Sequence, residues 1–182
     1  MLEQEDFKHY VDQFNNEDTL DLHFDVIPET KMISNEDTWE FLSENIPFLE
    51  CPDKEIEEVY YYRWWTFRKH IKVAPEGYII TEFMPDVSWS GKHNTISCPA
   101  GHHFREGRWL HNPDIIKEYG LFWLRGGGNP YSYSFWISDS FLRYHMVHPD
   151  DSQLADILTD LIENFKEWEK RRGEPDGMFW QV

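Results

Sequence analysis

The sequence predicts a mainly α-helical fold of layered helical hairpins with a small β-containing insertion, and two observations carry that expectation. From residue 100 onward the helical segments alternate between two kinds. One is apolar on most faces, as a buried helix is, and the other carries a single apolar stripe, as a helix covering a core does. Two concentric layers of hairpins, an α/α toroid or solenoid, produce that alternation more readily than a four-helix bundle. The second observation is that the helical period stops between about residues 72 and 98, which marks a small β-containing insertion there.

Taken in order, residues 1–35 read as an irregular, strand-containing lead-in, and residues 36–182 as the helical domain. Phe7 to Phe14 suits a short helix, and "LDLHFDVIP" alternates like a strand. "SNEDTWEFLSENIPF" reads as a helix capped by Asn35 or Asp37 and stopped by Pro47. Asp53, just after Pro52, caps a long helix in which Ile56, Val59, Tyr60, Arg63, Trp64, Phe67 and Ile71 recur at helical spacing. "GYIITEF" is a strand, and "MPDVSWSGKHNTISCP" a long ordered loop of the kind that often carries function. A helix runs from about Ala100 to Leu110. Asn112-Pro113 starts the next, with Ile115, Ile116, Tyr119, Phe122 and Trp123 on one side, and "RGGGNP" ends it as a C-cap and tight link. A helix from about Tyr133 to Val147 is apolar on most faces. His148-Pro149-Asp150-Asp151 starts the last, striped by Leu154, Ile157, Leu158, Leu161, Ile162, Phe165 and Trp168.

The composition narrows the function. Hydrophobic residues make up 40% of the 182, enough for one sizeable core. Aromatics reach 17%, with nine Trp, and such rings suit sugars, bases or a partner surface. A formal charge of −17 argues against nucleic acid, whose phosphates are held by basic surfaces. No apolar run approaches a membrane span, and "MLEQEDFKHY" is no signal-peptide start, so a cytoplasmic protein is expected. Cys51 and Cys98 make no metal spacing and no disulfide framework. No cofactor or metal is expected.

Four stretches, "ECPDKEIEEVYYYRWWTFRKHI", "TEFMPDVSWSGKHNTISCPAGHHFREGRWL", "LRGGGNPYSYSFWISDS" and "GMFWQ", resemble the bacterial six-hairpin glycosidases. These are (α/α)6-barrel glycoside hydrolases related to trehalase, glycogen-debranching enzymes and mannosylglycerate hydrolase. The resemblance runs from about Phe14 to the last residue. It implies inner helices around a funnel that binds an oligosaccharide or glycoside substrate, and an inverting mechanism with one carboxylic acid and one carboxylate. The family pattern continues past "FWQ" into a further acidic motif. Twelve helices of about 12 residues with links of about 5 need roughly 200 residues, and this chain supplies about six. The expectation is therefore an incomplete barrel, inactive alone and prone to self-association.

The resemblance gives "YYYRWWTFRKH" a role. Sugar rings stack on Trp faces while Arg and His donate to hydroxyls, so Arg63, Trp64, Trp65 and Arg68 are candidate substrate-binding residues. The competing reading packs the rings between helices and pairs the cations with acids such as Glu57 or Glu58. Asp86 and Trp89 offer a loop platform for a sugar, against an Asx-type turn with a hydrophobic plug. In "AGHHFREGRW", His102 and Glu106 share a helical face at i, i+4, with His103 beside them. A third metal ligand is lacking, so a sugar-binding polar face is preferred over metal binding, with a satisfied core histidine as the bland alternative. Glu106 is the candidate catalytic carboxylate. Trp136 and Asp139 complete the set. Asp139 lies on a helix expected to be buried, so it is either paired with an Arg such as Arg125 or exposed in the funnel. The alternative function is a non-catalytic helical domain that binds a protein partner through its aromatics. Trp residues converging on one concavity with Asp86, Glu106 and Asp139 favour the sugar, and a flat exposed patch favours the partner.

Overall fold

A computed structural model of the chain describes residues 3–19, 27–133 and 135–180. The strand expected over 20–28 falls largely outside the described residues. A 3₁₀ turn at Gln4–Phe7 leads into α1 (Lys8–Glu17), followed by β1 (Lys31–Met32), α2 (Thr38–Asn45) and α3 (Lys54–His70). Then come β2 (Ile71–Ala74), β3 (Gly77–Ile80), a 3₁₀ turn at Lys92–Asn94, α4 (Ala100–Gly107), α5 (Asp114–Arg125), α6 (Ile137–His145) and α7 (Asp151–Arg172). The fold is mainly α, with one small antiparallel sheet in the order β1-β2-β3. No helix among the described residues is long and apolar enough to cross a membrane.

The helix starts follow their caps. Asp53 accepts from the backbone N–H groups of Glu55 and Ile56, and Asp150 from that of Gln153. Asn112 Oδ1 accepts from Asp114 N at 3.0 Å at the start of α5. Asp37 precedes α2 but makes no side-chain cap bond. At the end of α5, the N–H of Gly126 reaches the carbonyls of Leu121 and Phe122, and Gly127 takes φ +96°, where a side chain is disfavoured.

The buried face of α3 is rotated from the expected one. Ile56 and Val59 are exposed, whereas Glu57, Tyr61, Trp64, Trp65 and Arg68 point into the core. The cause is a set of polar partners, one of them distant in sequence. Glu57 accepts from Tyr10 Oη (2.9 Å), Cys51 N (2.7 Å) and Lys54 Nζ (2.9 Å). Burial pushes its carboxyl pKa up, and these three donors outweigh that and hold it below the ordinary value. Phe7, Tyr10, Val11 and Phe14 of the lead-in belong to the same core as Phe104, Tyr119 and Phe141, so packing does not break at residue 35.

The sheet also departs from expectation. Besides β2 and β3 it takes β1 from the lead-in, pairing Lys31 with Val73. The turn between β2 and β3 places Gly77 at φ +108°, where an added Cβ would run into Glu118 of α5. Glu118 Oε2 accepts from Tyr78 N at 2.9 Å, which fastens α5 to the sheet.

Further along, α6 is shorter than expected and not buried all round, since Leu142 and Met146 are exposed. The stripe on α7 is likewise only half covered. Ile157 is fully buried, but Leu158, Ile162 and Phe165 are exposed.

Three glycines let α4, α5 and α6 approach closely. A Cβ on Gly107 would collide with Ile116, one on Gly101 would lie 2.9 Å from Trp136 Cε3, and one on Gly120 would lie 2.5 Å from Phe141 Cζ. Ala is the better helix former by about 1 kcal/mol, whereas overpacking a core costs about 1–3 kcal/mol. Gly120→Ala is therefore expected to lower stability by about 1 kcal/mol net, read as a shift of the urea midpoint at unchanged m-value. A stabilised variant would mean that α5 and α6 are not in contact there.

Candidate active site

The expected site residues fall into three groups. The first is structural. Trp64, Trp65 and Arg68 are buried within the α3 packing. Trp65 Nε1 donates to Asn15 Oδ1 at 2.8 Å. The fully buried Arg68 guanidinium donates to Ile33 O at 2.6 Å and Asn35 Oδ1 at 2.9 Å. It clamps the segment leading to α2 and has no surface to offer a ligand, which corrects the expectation of a sugar contact there. Next to it Lys69 forms a buried ion pair with Asp18.

The second group lies on the loop after β3. Asp86 and Trp89 are exposed, and Trp89 touches Phe83 at 6.0 Å between ring centroids. Asn94 secures the loop. Its Nδ2 donates to the carbonyls of Phe83 (3.0 Å) and Pro85 (2.9 Å), and its Oδ1 accepts from Val87 N (3.0 Å). Trp65, His70, Glu82 and Phe83 line a cleft of about 590 Å³ at the base of this loop.

The third group brings chemistry together along the exposed edge of α4. Arg63 Nη2 of α3 donates to Glu106 Oε2 at 2.6 Å, with the Glu106 side chain 23% exposed. Glu106 sits in the last turn of α4, where the helix dipole disfavours an anion, and Arg63 offsets that. One turn back, His102 lies against Trp136, 5.3 Å between centroids and nearly edge-on. The Arg105 guanidinium lies 5.1 Å from the centre of the Trp136 ring, and its Nη2 donates to Asp139 Oδ2 at 3.2 Å. Arg143 Nε donates to the other Asp139 oxygen, also at 3.2 Å. Asp139 is thus paired, but with Arg105 and Arg143, because Arg125 is taken by Asp156 and Asp160 of α7. Partial desolvation works against ionising Asp139, and the bond from Arg105 with the charge of Arg143 outweighs it, leaving the pKa below the ordinary carboxylate value.

Trp136 and Asp139 open into a cleft of about 420 Å³ walled by Phe135, Phe165, Trp168, Phe179 and Trp180. The far wall is the turn after α7, which folds back through a bridge between Gly173 and Phe179 and packs Phe179 on Phe165 at 5.8 Å. Sequence reasoning missed Arg105, Asn164, Trp168 and Trp180 as part of this site. "GMFWQ" and the arginine inside "GHHFREGRW" are the signals that could have found two of them. Among the described residues no group of three or more His, Cys, Asp or Glu side chains could hold a metal ion.

Beneath α4, His103 points inward and its Nδ1 lies 3.0 Å from Tyr119 Oη. The His70 ring bonds through Nδ1 to the carbonyl of Thr81 at 2.9 Å, so Nδ1 carries the proton and donates it. Burial depresses both imidazoles, His70 to about 4 and His103 to about 3, with neighbouring cations adding to the effect. Both rings are neutral at pH 7.

Comparison with known proteins gives two matches. A model described as "Mannosylglycerate hydrolase MGH1-like glycoside hydrolase domain" matches residues 92–182, which is half of the chain. The chain belongs to that glycoside hydrolase family. A solved structure titled "Sialidase" superposes with a TM-score of 0.88 at 38% identity, covering 99% of this chain and 16% of that one. No curated protein matches.

The two histidines give the site region an acid sensitivity. Each has a folded pKa below its unfolded value of about 6.5. Their contribution is fully present above pH 6.5 and is lost as the pH falls towards 4, because the unfolded chain binds the protons that the folded one refuses. Unfolding free energy is expected to drop by on the order of 1 kcal/mol per pH unit for each ring between pH 6.5 and 4.5. Urea titrations over that range, with His70→Gln and His103→Gln each flattening the slope, check this. A slope that neither variant changes would contradict the buried neutral assignment.

Proposed function

We propose that the chain is the sugar-binding sector of an inverting glycoside hydrolase and that Glu106 supplies one of its two reacting carboxyl groups. The observation that carries this reading is the convergence of Glu106–Arg63, His102, Trp136 and Arg105–Asp139 on one edge of α4 beside the aromatic cleft. A pyranose presents apolar C–H faces and a rim of hydroxyls. The rings of the cleft suit the faces, and the arginine, histidine and carboxylate groups suit the rim.

In hydrolysis with inversion, one carboxylic acid protonates the leaving oxygen while a carboxylate activates water on the opposite face. Arg63 holds Glu106 in place without burying it, so its carboxyl can reach a bound glycoside. Asp139, fixed by two arginines, serves better as a hydroxyl acceptor than as a proton shuttle. We assign the second reacting carboxylate to a part of the larger toroid that these residues do not supply.

The chain spans 16% of the sialidase chain it superposes on, and both α3 and α7 carry exposed apolar side chains. These faces are read as interfaces to further hairpins of an (α/α)6 toroid. Left bare, they favour self-association. The reading keeps the setting cytoplasmic, which accords with the unbridged thiols of Cys51 and Cys98. A protein-binding helical domain would call for a flat aromatic patch, whereas Trp136, Trp168 and Trp180 line a concavity; of Asp86, Glu106 and Asp139, Asp139 lines it with them and the other two do not.

The test is kinetic. In a toroid carrying this sequence, Glu106→Gln is expected to lower kcat on a glycoside about 10²–10⁴-fold with KM little changed, and the released sugar to appear with inverted anomeric configuration. Full activity of Glu106→Gln would remove Glu106 from the reaction.

A further inference from the structure

The aromatic cleft contains one polar group that the packing leaves unanswered. Asn164 on α7 is only 6% exposed, yet among the described residues its side-chain amide has no hydrogen-bond partner. The amide is not sealed from solvent, and its unbonded polar atoms face the clefts that it lines. The amide lines the 420 Å³ aromatic cleft, and it also lines a neighbouring, more polar cleft of about 560 Å³ bordered by Tyr131, Asp160 and Glu167. It therefore stands between an apolar floor and a polar flank, in a space within the ordinary range of small-molecule sites.

Resting on the carbohydrate reading above, we infer that Asn164 is a specificity-determining residue that binds a hydroxyl pair of a neutral pyranose stacked in the aromatic cleft. An amide offers a donor and an acceptor side by side, which matches two adjacent hydroxyls. Trp136 and Trp168 supply the flat walls such a ring requires. The preference for a neutral sugar comes from charge. Among the described residues lining the cleft, Asp139 is the only ionisable group. The two arginines that compensate it, Arg105 and Arg143, are not among the lining residues. A carboxylate-bearing sugar in this space meets the Asp139 carboxylate directly, whereas Arg105 and Arg172 sit against Trp136 and Trp180 and are not among the lining residues, so the nearest charge is a like one.

Calorimetric titration of the 182-residue chain with methyl glucopyranoside, methyl mannopyranoside and methyl glucuronide tests the inference. At least one neutral glycoside is expected to bind, and the glucuronide at least tenfold more weakly. Asn164→Leu is expected to weaken the neutral sugar tenfold or more while the melting temperature stays the same or rises, since an unanswered amide has been replaced by an apolar group. Trp136→Ala is expected to abolish binding. If Asn164→Leu does not fold, the isosteric Asn164→Asp carries the test, with the same tenfold loss expected. Affinity within twofold of the unaltered chain in the Asn164 variant, with Trp136→Ala still abolishing binding, overturns the role of Asn164 and leaves the carbohydrate reading standing. Equal affinity for the glucuronide overturns the preference for a neutral ring. If none of the glycosides binds to the unaltered chain, the carbohydrate reading and this inference fall together.

Discussion

The close approach of α4 to its neighbours is the constraint on which the rest of this structure depends. Helices carrying ordinary side chains pack about 8–10 Å apart, and each glycine at a crossing removes one obstacle to a shorter distance. Gly107 admits Ile116, Gly101 admits the Trp136 ring, and Gly120 admits Phe141. With α4 seated this way, its outer edge is brought level with Arg63 of α3 and with Asp139 in the first turn of α6. The ion pairs and the Trp136 stack are consequences of that seating. Each is too exposed to set the geometry alone, since partly exposed pairs contribute little.

Around this centre several buried charged groups are answered by specific partners. Glu57 has three donors, and Arg68 holds the Ile33 carbonyl and Asn35. Lys69 and Asp18 pair out of solvent. Removing one partner of such a set leaves a buried charge uncompensated, which is far more damaging than losing an exposed pair. These groups tie α1, α2 and the lead-in to α3, so the platform under the site is held by polar bonds as well as by rings.

Much of the fold was legible in the sequence where the signal is local. Asp53 and Asp150 cap helices as their spacing suggests, and the Gly-rich break ends α5. The phase of α3 was not legible, because hydrophobicity assigns Ile56 and Val59 to the core and cannot see that Tyr10 and the Cys51 N–H wait for Glu57. The strand β1 has only two residues, too few for a period. Within the site, the i, i+4 spacing of His102 and Glu106 predicted their shared face, whereas the partner of Asp139 was misjudged. Arg125 of α5 is held by Asp156 and Asp160 of α7, and Asp139 pairs instead with Arg105 of α4 and with Arg143 one turn on in its own helix. Trp168 looked like a core stripe residue, and only the fold-back of the turn after α7 makes it a cleft wall.

The central claim is that sugar recognition belongs to the aromatic cleft beside α4 and not to the aromatic-rich run on α3. The nine tryptophans provide a direct readout. Indole N–H resonances followed by two-dimensional NMR during titration with a neutral methyl pyranoside are predicted to move for Trp136, Trp168 and Trp180, while those of the buried Trp64, Trp65 and Trp123 stay in place. Movement confined to Trp64 and Trp65, or to the exposed rings Trp89 and Trp109 outside the cleft, would contradict the account.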